Sequence, residues 1–582
     1  MLTAGLRTLA RLSPWAGRSD ADLRRAVAFL GWNRESATDA SAGNVTAETA
    51  GIDAETVTRA GHGSALVVAT AGLPALAVLP PRLWGLVVVA AVILAVGVRR
   101  GLPAGVRLLA TARRTSALGA APDLVARAVL RMRLRPSPEA AAAFAAETGE
   151  GRLAASLRSH VRRAGGTPES ALVRFGEEWG EQFPSLRHAL AGIETAGNAH
   201  EHARERALDD ALSVVLDGTR ETAATFAATV RTPATALYAF GVLLPLTLVA
   251  LLPAASATGL SVSVPLLVVG YDVALPVTVA LVSAWLLARR PVAFPTVRVS
   301  RSHPSVPSTP RHAVAAGVAA AVVSGVVTAA LWPPWAVPLA VVGCGVGTAL
   351  FVEARPARSV KRRARSVESG LPDVLALVGR QVTRGRAVES ALDVVADETD
   401  GETAAVFADA ARRQRQLGDG VETALSGALA TVPSVRARSV ARLLVLAASE
   451  GRPAGDALVS MATHLRELQR VEAETRRTLA NVTRTLSNTA AVFAPLVGGS
   501  TVALADAIGR VDVATGGSVP STATIGLAVG AYVLVLSILL ATLTAGLQRG
   551  FDRARVGYRV GVTLVSATVV FLVAIRAVGL FV

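Results

Sequence analysis

The segment from Ala313 to Val352 reads AVAAGVAAAVVSGVVTAALWPPWAVPLAVVGCGVGTALFV, forty residues without a charged side chain. A helix needs about 20 mostly apolar residues to cross the hydrocarbon core of a bilayer. This segment has twice that length, and Pro333-Pro334-Trp335 divides it. Proline breaks a helix interior because it lacks the N–H and clashes with the preceding turn. The segment therefore reads as two spans, 313–331 and 333–352, joined by a tight uncharged turn.

Windows of the same kind recur on either side. One pair lies at 64–98, split by Pro80-Pro81-Arg82, and another at 234–253 and 265–288. Three more lie at 488–508, 521–546 and 560–581, the first diluted by Asn488, Pro495, Gly498 and Gly499. The expected fold is an all-α, polytopic membrane protein with about nine transmembrane helices. Polar stretches of domain size lie between the clusters. The expected order is an N-terminal region 1–63, a transmembrane pair 64–98, a helical domain 99–233, a pair 234–288, a Pro- and Arg-rich linker 289–312, a pair 313–352, a second helical domain 353–487, and three spans within 488–582. No cleavable leader is expected, because 1–63 is polar and holds no apolar core followed by a cleavage site.

The composition agrees with this class. Of 582 residues, 52% are hydrophobic and 18% charged, against about 25% charged in an ordinary soluble domain. A mainly disordered chain is excluded too, since that needs low hydrophobicity. The sole cysteine, Cys344, excludes intrachain disulfides and cysteine-based metal clusters. The sole lysine, Lys361, sits in Val360-Lys361-Arg362-Arg363 without the glycines of a phosphate-binding loop, so the chain is not a Walker-type NTPase.

The net charge of +16 is almost all arginine, concentrated at 99–100, 289–311, 355–365 and 549–559. With nine spans threaded, these segments fall on one side, which the positive-inside rule makes the cytoplasm. Only Arg82 and Arg510 fall in outer loops. The expected location is the cell membrane, with the N-terminus and both large domains cytoplasmic and the C-terminus outside. Topology and attraction to anionic membrane lipids account for the charge. No aromatic-interleaved basic patch points to nucleic acid.

The two polar domains read as divergent copies. Ala121-Pro122-Asp123-Leu124-Val125 corresponds to Leu371-Pro372-Asp373-Val374-Leu375, and Ala146-Glu147-Thr148 to Asp397-Glu398-Thr399. Gly166 to Leu172 corresponds to Gly420 to Leu425, Phe183-Pro184-Ser185 to Val432-Pro433-Ser434, and Ala196-Gly197 to Glu450-Gly451, all at an offset near 250. Apolar residues recur at i, i+3, i+4 and i+7, as in Leu371, Val374, Leu375 and Val378, so each domain is expected to be an antiparallel helical bundle. Pro372 suits a first helical turn, and Gly385, Gly420 and Gly451 suit helix ends. Segments 203–232 and 457–486 read as long helices running directly into the third and seventh spans.

The second copy, with its opening Leu371-Pro372-Asp373, its Gly420 to Leu425 stretch, its Ser449-Glu450-Gly451 turn and its long helix entering a span, resembles the type II secretion system F domain. The first copy matches less well, because Arg131-Met132-Arg133-Leu134 stands where the second has Val382-Thr383-Arg384-Gly385. Two such domains with extra spans ahead of them resemble the archaeal members of the family. The resemblance implies a non-enzymatic membrane platform of a type IV pilus-like, archaellum-like or type II secretion-like assembly machine. Its implied partners are a hexameric assembly ATPase, prepilin or pilin subunits, membrane lipids and further copies of itself. The turns at Gly420, Glu450 and Gly451 are the candidate ATPase-docking points. The alternative is a secondary transporter with internal duplication.

No site for catalysis, cofactor or metal is expected. His200-Glu201-His202 places its histidines on different helix faces, and Asp397 to Glu402 lacks calcium-loop spacing. Asp272, in the fourth span beside Tyr271, is an intramembrane charge. It reads either as part of a proton or substrate path or as a group paired within the bundle. Asp506 and Arg576 lie near outer span ends, and Gly343-Cys344-Gly345 suits close helix packing.

Overall fold

The structure is a computed structural model that describes residues 2–15, 20–32, 52–71, 84–165, 170–257, 267–288, 303, 311–512, 521–550 and 552–581. Among these residues every regular element is a helix. The chain divides into two compact units, Met1–Thr115 and Ser116–Val582.

The first unit holds α1 (Leu2–Arg11), α2 (Ala21–Leu30), α3 (Ala54–Ala71) and all but the last three residues of α4 (Trp84–Leu118). Asp20 caps α2 by accepting from the Leu23 N–H at 2.8 Å, and its other carboxylate oxygen takes Arg107 of α4 at 2.7 Å. Leu6, Leu23, Val27, Leu30, Ile52, Val57, Val106 and Ala110 form a small core. The polar part of α4 thus packs with the N-terminal region, although the sequence reading assigned residues from 99 onward to the first helical domain. Part of the expected span pair at 64–98 lies outside the described residues.

The second unit opens with five helices, α5 (Ala121–Leu134), α6 (Pro138–Thr148), α7 (Gly151–Ala164), α8 (Ala171–Gly180) and α9 (Pro184–Ala196). Helix α10 (Glu201–Tyr238) closes this bundle and passes through a π-helical turn, Ala239–Leu243, into α11 (Leu244–Ala257). A second π turn, Val269–Ala274, leads into α12 (Leu275–Ala288). Helix α13 (Arg311–Leu331) and α14 (Val337–Thr383) follow, joined by a 3₁₀ turn at Pro334–Ala336. Then come α15 (Val388–Glu398), α16 (Gly401–Leu417), α17 (Val421–Leu429), α18 (Val435–Glu450) and α19 (Pro453–Asn488). A third π turn, Thr489–Phe493, joins α19 to α20 (Ala494–Asp512), and α21 (Thr522–Arg549) and α22 (Arg553–Phe581) complete the unit.

Helices α6 to α10 recur as α15 to α19, each beginning 250 to 252 residues later, and the π turns at 239 and 489 are 250 apart. The backbone repeats in detail. Gly151 and Gly401, each the first residue of the third helix in its copy, have φ of 90° and 76°, a region open to glycine. The first bundle is filled by Leu153, Leu157, Leu172, Phe175, Trp179 and Ile193, the second by Leu375, Val378, Leu392, Val395, Phe407, Leu425 and Leu444. Four of the first copy's motif residues, 166–169, lie outside the described residues. One expected helix end shifts. Gly418, left-handed at φ 70°, closes α16, while Gly420 stands at the N-cap of α17.

Seven helices among the described residues are long and apolar enough to cross a membrane: Glu201–Val249, Val269–Leu287, Arg311–Leu331, Pro334–Thr383, Ala454–Ala507, Thr522–Gln548 and Arg553–Leu580. The chain is an all-helical, multi-pass membrane protein. Small residues set the spacing of its bundle, as is usual where lipid supplies no hydrophobic drive between helices. A Cβ on Gly345 would stand 2.9 Å from the Ala321 Cβ of α13, and one on Gly499 2.5 Å from the Phe571 carbonyl of α22.

Helix α14 overturns one expectation. No helix opens at Leu371-Pro372-Asp373; the span runs unbroken through Pro372 for 47 residues, about 70 Å at the usual rise. Proline leaves the carbonyl four residues before it without its helical donor. Here that carbonyl is Glu368, and Gln469 Nε2 of α19 donates to it at 2.9 Å. In the first copy a new helix does begin, with Pro122 in its first turn. Gln469→Leu is expected to cost about 1 kcal/mol, the penalty of a part-buried carbonyl left unpaired. Denaturant unfolding checks the cost, and faster amide exchange confined to 369–376 would locate it.

Candidate functional site

The last helix of each bundle runs on into the membrane, and each of these junctions is marked by a π turn. The cause lies in the sequence two residues beyond. Pro245 follows the turn at 239–243, Pro495 the turn at 489–493, and Pro276 the turn at 269–274. Each proline frees the carbonyl four residues earlier, and the chain accommodates it by widening one turn. A freed carbonyl in the membrane must find a donor. Tyr532 OH of α21 donates to Gly241 O, the carbonyl that Pro245 frees. Ser566 Oγ of α22 donates at 3.0 Å to Ala491 O, the carbonyl that Pro495 frees, and Ser537 Oγ of α21 takes Ala490 O at 2.9 Å. Tyr271 packs edge-on against Tyr532, with ring centroids 5.9 Å apart, and donates to Pro245 O. Tyr532→Phe is expected to cost about 1 kcal/mol, the usual worth of such a bond in a membrane bundle. Unfolding by titration with a denaturing detergent measures it.

The two bundles also dock on one another. Arg127 holds Asp123 at 2.9 Å and Thr148 O at 2.8 Å within the first copy and reaches Ser439 of the second. Arg133 donates to Ser460 Oγ at 2.5 Å, and Arg131 and Arg135 flank Glu450 at 3.5 and 3.6 Å. From the other side Arg442 donates to Thr148 O at 3.0 Å, while Arg220 pairs with Glu467. Leu130 and Leu216 of the first copy belong to the second copy's core. The stretch Arg131 to Leu134, where the first copy departs from the second, is thus the strip that grips it. Within the second bundle Arg436 and Glu472 pair at 2.6 Å, almost wholly enclosed.

The residues singled out from the sequence separate. Leu371 and Pro372 are buried in the second core, while the Asp373 carboxylate is exposed and pairs with Arg466 at 2.9 Å. Gly420 is exposed beside Leu417, which is 66% exposed, a high value for leucine. Glu450 faces the first copy's arginines, and Gly451, φ 70°, caps α18. Gly420 stands at the start of α17 and Glu450 at the end of α18, where it meets the first bundle. Asp272 lies in the second π turn, and its buried Oδ1 has no hydrogen-bond partner. Asp506, which accepts from Thr522 Oγ1 at 3.0 Å, and Arg576 line a cavity of about 410 Å³ with Trp332 and Trp335, at the end of the bundle away from the helical domains. Among the described residues no group of three His, Cys, Asp or Glu is placed to hold a metal ion.

The six helices from the end of α14 through α19, the π turn and the proline after it form one continuous piece. The family model for protein F of the type II secretion system (T2SS) matches residues 374–499, the same piece. The chain carries a protein F domain. The F domain ends four residues past Pro495, so the π turn and its proline lie inside it. No curated protein and no solved structure matches the chain. The F domain associates this chain with inner-membrane platform proteins of type II secretion and type IV pilus type. Sequence reasoning registered Pro495 only as a weak point in a span and did not register Pro245. Their shared offset of 250 was the available signal.

Proposed function

We propose that the chain is the membrane platform of a filament-assembly machine of type IV pilus, archaellum or type II secretion kind. In this reading a cytoplasmic hexameric ATPase acts on the helical bundles, and pilin subunits pass from the membrane bundle into a filament. The observation that carries it is the F domain at 374–499, running without a break from one membrane helix and into another. The first bundle, with the same helix order and the same π turn, is read as a second, divergent F domain of the archaeal kind. Arginine placement supports cytoplasmic bundles, a cytoplasmic N-terminus and an outer C-terminus.

The role requires no catalysis by this chain. Its work is mechanical: α14 and α19 are rigid connections between the F domain and the spans. Copies of the chain would assemble to match a symmetric motor. The exposed turn at Gly418 to Gly420, with Leu417 beside it, is the surface offered to the ATPase. Glu450 and Gly451 stand at the seam between the bundles, where motor contact would strain the docking of one on the other.

The test is purification of the tagged full chain from its native membrane in gentle detergent, with co-purifying proteins identified by mass. Recovery of a hexameric secretion ATPase and prepilins is expected. Leu417→Arg should reduce ATPase recovery about tenfold while leaving pilins bound, the scale of losing one apolar anchor. Absence of both partners, under conditions that keep a control complex intact, overturns the platform reading and favours the transporter, for which the unpartnered Asp272 Oδ1 is the residue to substitute first.

A further inference from the structure

Single apolar side chains on a surface are ordinary, and their position decides what they mean. In the first unit Leu12 and Trp15, in the turn that follows α1, are 52% and 57% exposed. The level at which they stand is set by α3 and α4. Helix α3 is polar up to Gly63, with Glu55, Arg59 and His62, and uncharged from Ser64 to Ala71. Helix α4 changes in the reverse order, apolar from Trp84 to Val98 and polar from Arg99. The polar halves share one core, formed by Ala54, Val57 and Ala60 of α3 with Val106 and Ala110 of α4. The helices meet at the change itself, where a Cβ on Gly61 would stand 2.9 Å from Arg99 O and 3.6 Å from Pro103 Cδ. Both apolar halves therefore leave the core from one level.

The turn stands at that level. Gly63 lies so close to Leu9 O that a Cβ has no room there, and such a Cβ would be 3.5 Å from Ser13 N. Trp15 meets the His62 ring edge-on, with centroids 6.2 Å apart. Leu66, four residues past His62 and so on the same helix face, is exposed, as is its neighbour Val67. Leu12 and Trp15 thus head an exposed apolar surface that continues along the uncharged half of α3. Arg11 and Arg99 are exposed at the same level. Cation, tryptophan and apolar stripe in that order match phosphate, interface and acyl chain across a bilayer leaflet. We propose that the Leu12–Trp15 turn is a membrane-surface anchor, seated in the phospholipid headgroup layer with Arg11 and Arg99 toward the phosphates. It holds the N-terminal core on the bilayer at the root of the first span pair. The anchor rests on reading 64–98 as a membrane pair and is independent of the identity of any motor or filament.

The full chain, with Cys344→Ser as background, is labelled with a nitroxide at Leu12→Cys, Val92→Cys or Asp53→Cys. Each is reconstituted in vesicles of phosphatidylglycerol and phosphatidylcholine. Electron paramagnetic resonance then compares relaxation by oxygen, which concentrates among acyl chains, with relaxation by a water-soluble nickel chelate. Val92, exposed on α4 and about 10 Å along it from Arg99, should be open to oxygen and closed to nickel. Asp53, exposed and about 16 Å along α3 on the polar side of Ser64, should show the reverse. Leu12 should favour oxygen and report a depth of about 5–10 Å, that of an apolar group at the headgroup boundary. If Leu12 is as open to nickel as Asp53 while Val92 is closed to it, the anchor is overturned and the span pair stands. Closure of Leu12 to both agents means that protein covers it, and overturns the anchor too. If Val92 is open to nickel, the pair lies outside the membrane and the anchor falls with it. Should Leu12→Cys elute as aggregate, Trp15→Cys takes its place with the same expectation.

Discussion

Gly561→Val is expected to disrupt the membrane bundle severely. A Cβ at Gly561 would stand 2.6 Å from Gly347 O and 2.7 Å from Phe351 N. Both are backbone atoms of α14, so no side chain can swing aside. The approach is mutual, since a Cβ at Gly347 would lie 3.0 Å from Gly561 O. Valine must therefore push α22 off α14, and α14 cannot shift alone because its far end is built into the F domain core. The expected cost is about 3 kcal/mol, the upper end of overpacking penalties. Gly579→Val on the same helix meets nothing within 4 Å and is expected to stay within about 0.5 kcal/mol of wild type. Unfolding in mixed micelles by a denaturing detergent compares the two, and equal midpoints would contradict the backbone contact.

Glu472→Ala should be at least as damaging to the F domain, for an electrostatic reason. The Arg436 guanidinium is 15% exposed and the Glu472 carboxylate 7%, and Glu472 also accepts from Arg476 at 2.8 Å. Burial works to lower the Arg436 pKa, but the charge and hydrogen bond of Glu472, with help from Glu368 and Asp123, raise it above the ordinary value. Arginine cannot shed its proton to escape. Removing Glu472 leaves a buried cation without its principal counterion, at about 3–5 kcal/mol. Replacing both partners, Arg436→Met with Glu472→Leu, should recover most of the loss, because an apolar pair needs no compensation. The prediction fails if the single and double variants melt together.

The spans, the helical class and the duplication were legible because each is a property of local sequence. Length and apolarity decide whether a helix can cross a bilayer, and a repeat shows as an offset whatever the copies touch. Resemblance in the second copy was legible for the same reason, and the F domain lies there. The first copy's Arg131 to Leu134 read only as a departure from its twin; its meaning as a docking strip needed Glu450 and Ser460 in view.

Proline marks the boundary between the two kinds of information most clearly. By itself the sequence determined that the carbonyls of Gly241, Glu368 and Ala491 would lose their helical donors, because Pro245, Pro372 and Pro495 have no N–H. It could not determine what the chain would do about it. Gln469, 101 residues from Glu368, lets α14 run straight through. Tyr532, 291 residues from Gly241, and Ser566, 75 from Ala491, let the two entry helices widen by a turn and continue into the membrane. A freed backbone carbonyl is a local fact. Whether it ends a helix, bulges it or leaves it unbroken depends on a donor that only tertiary packing brings within 3 Å.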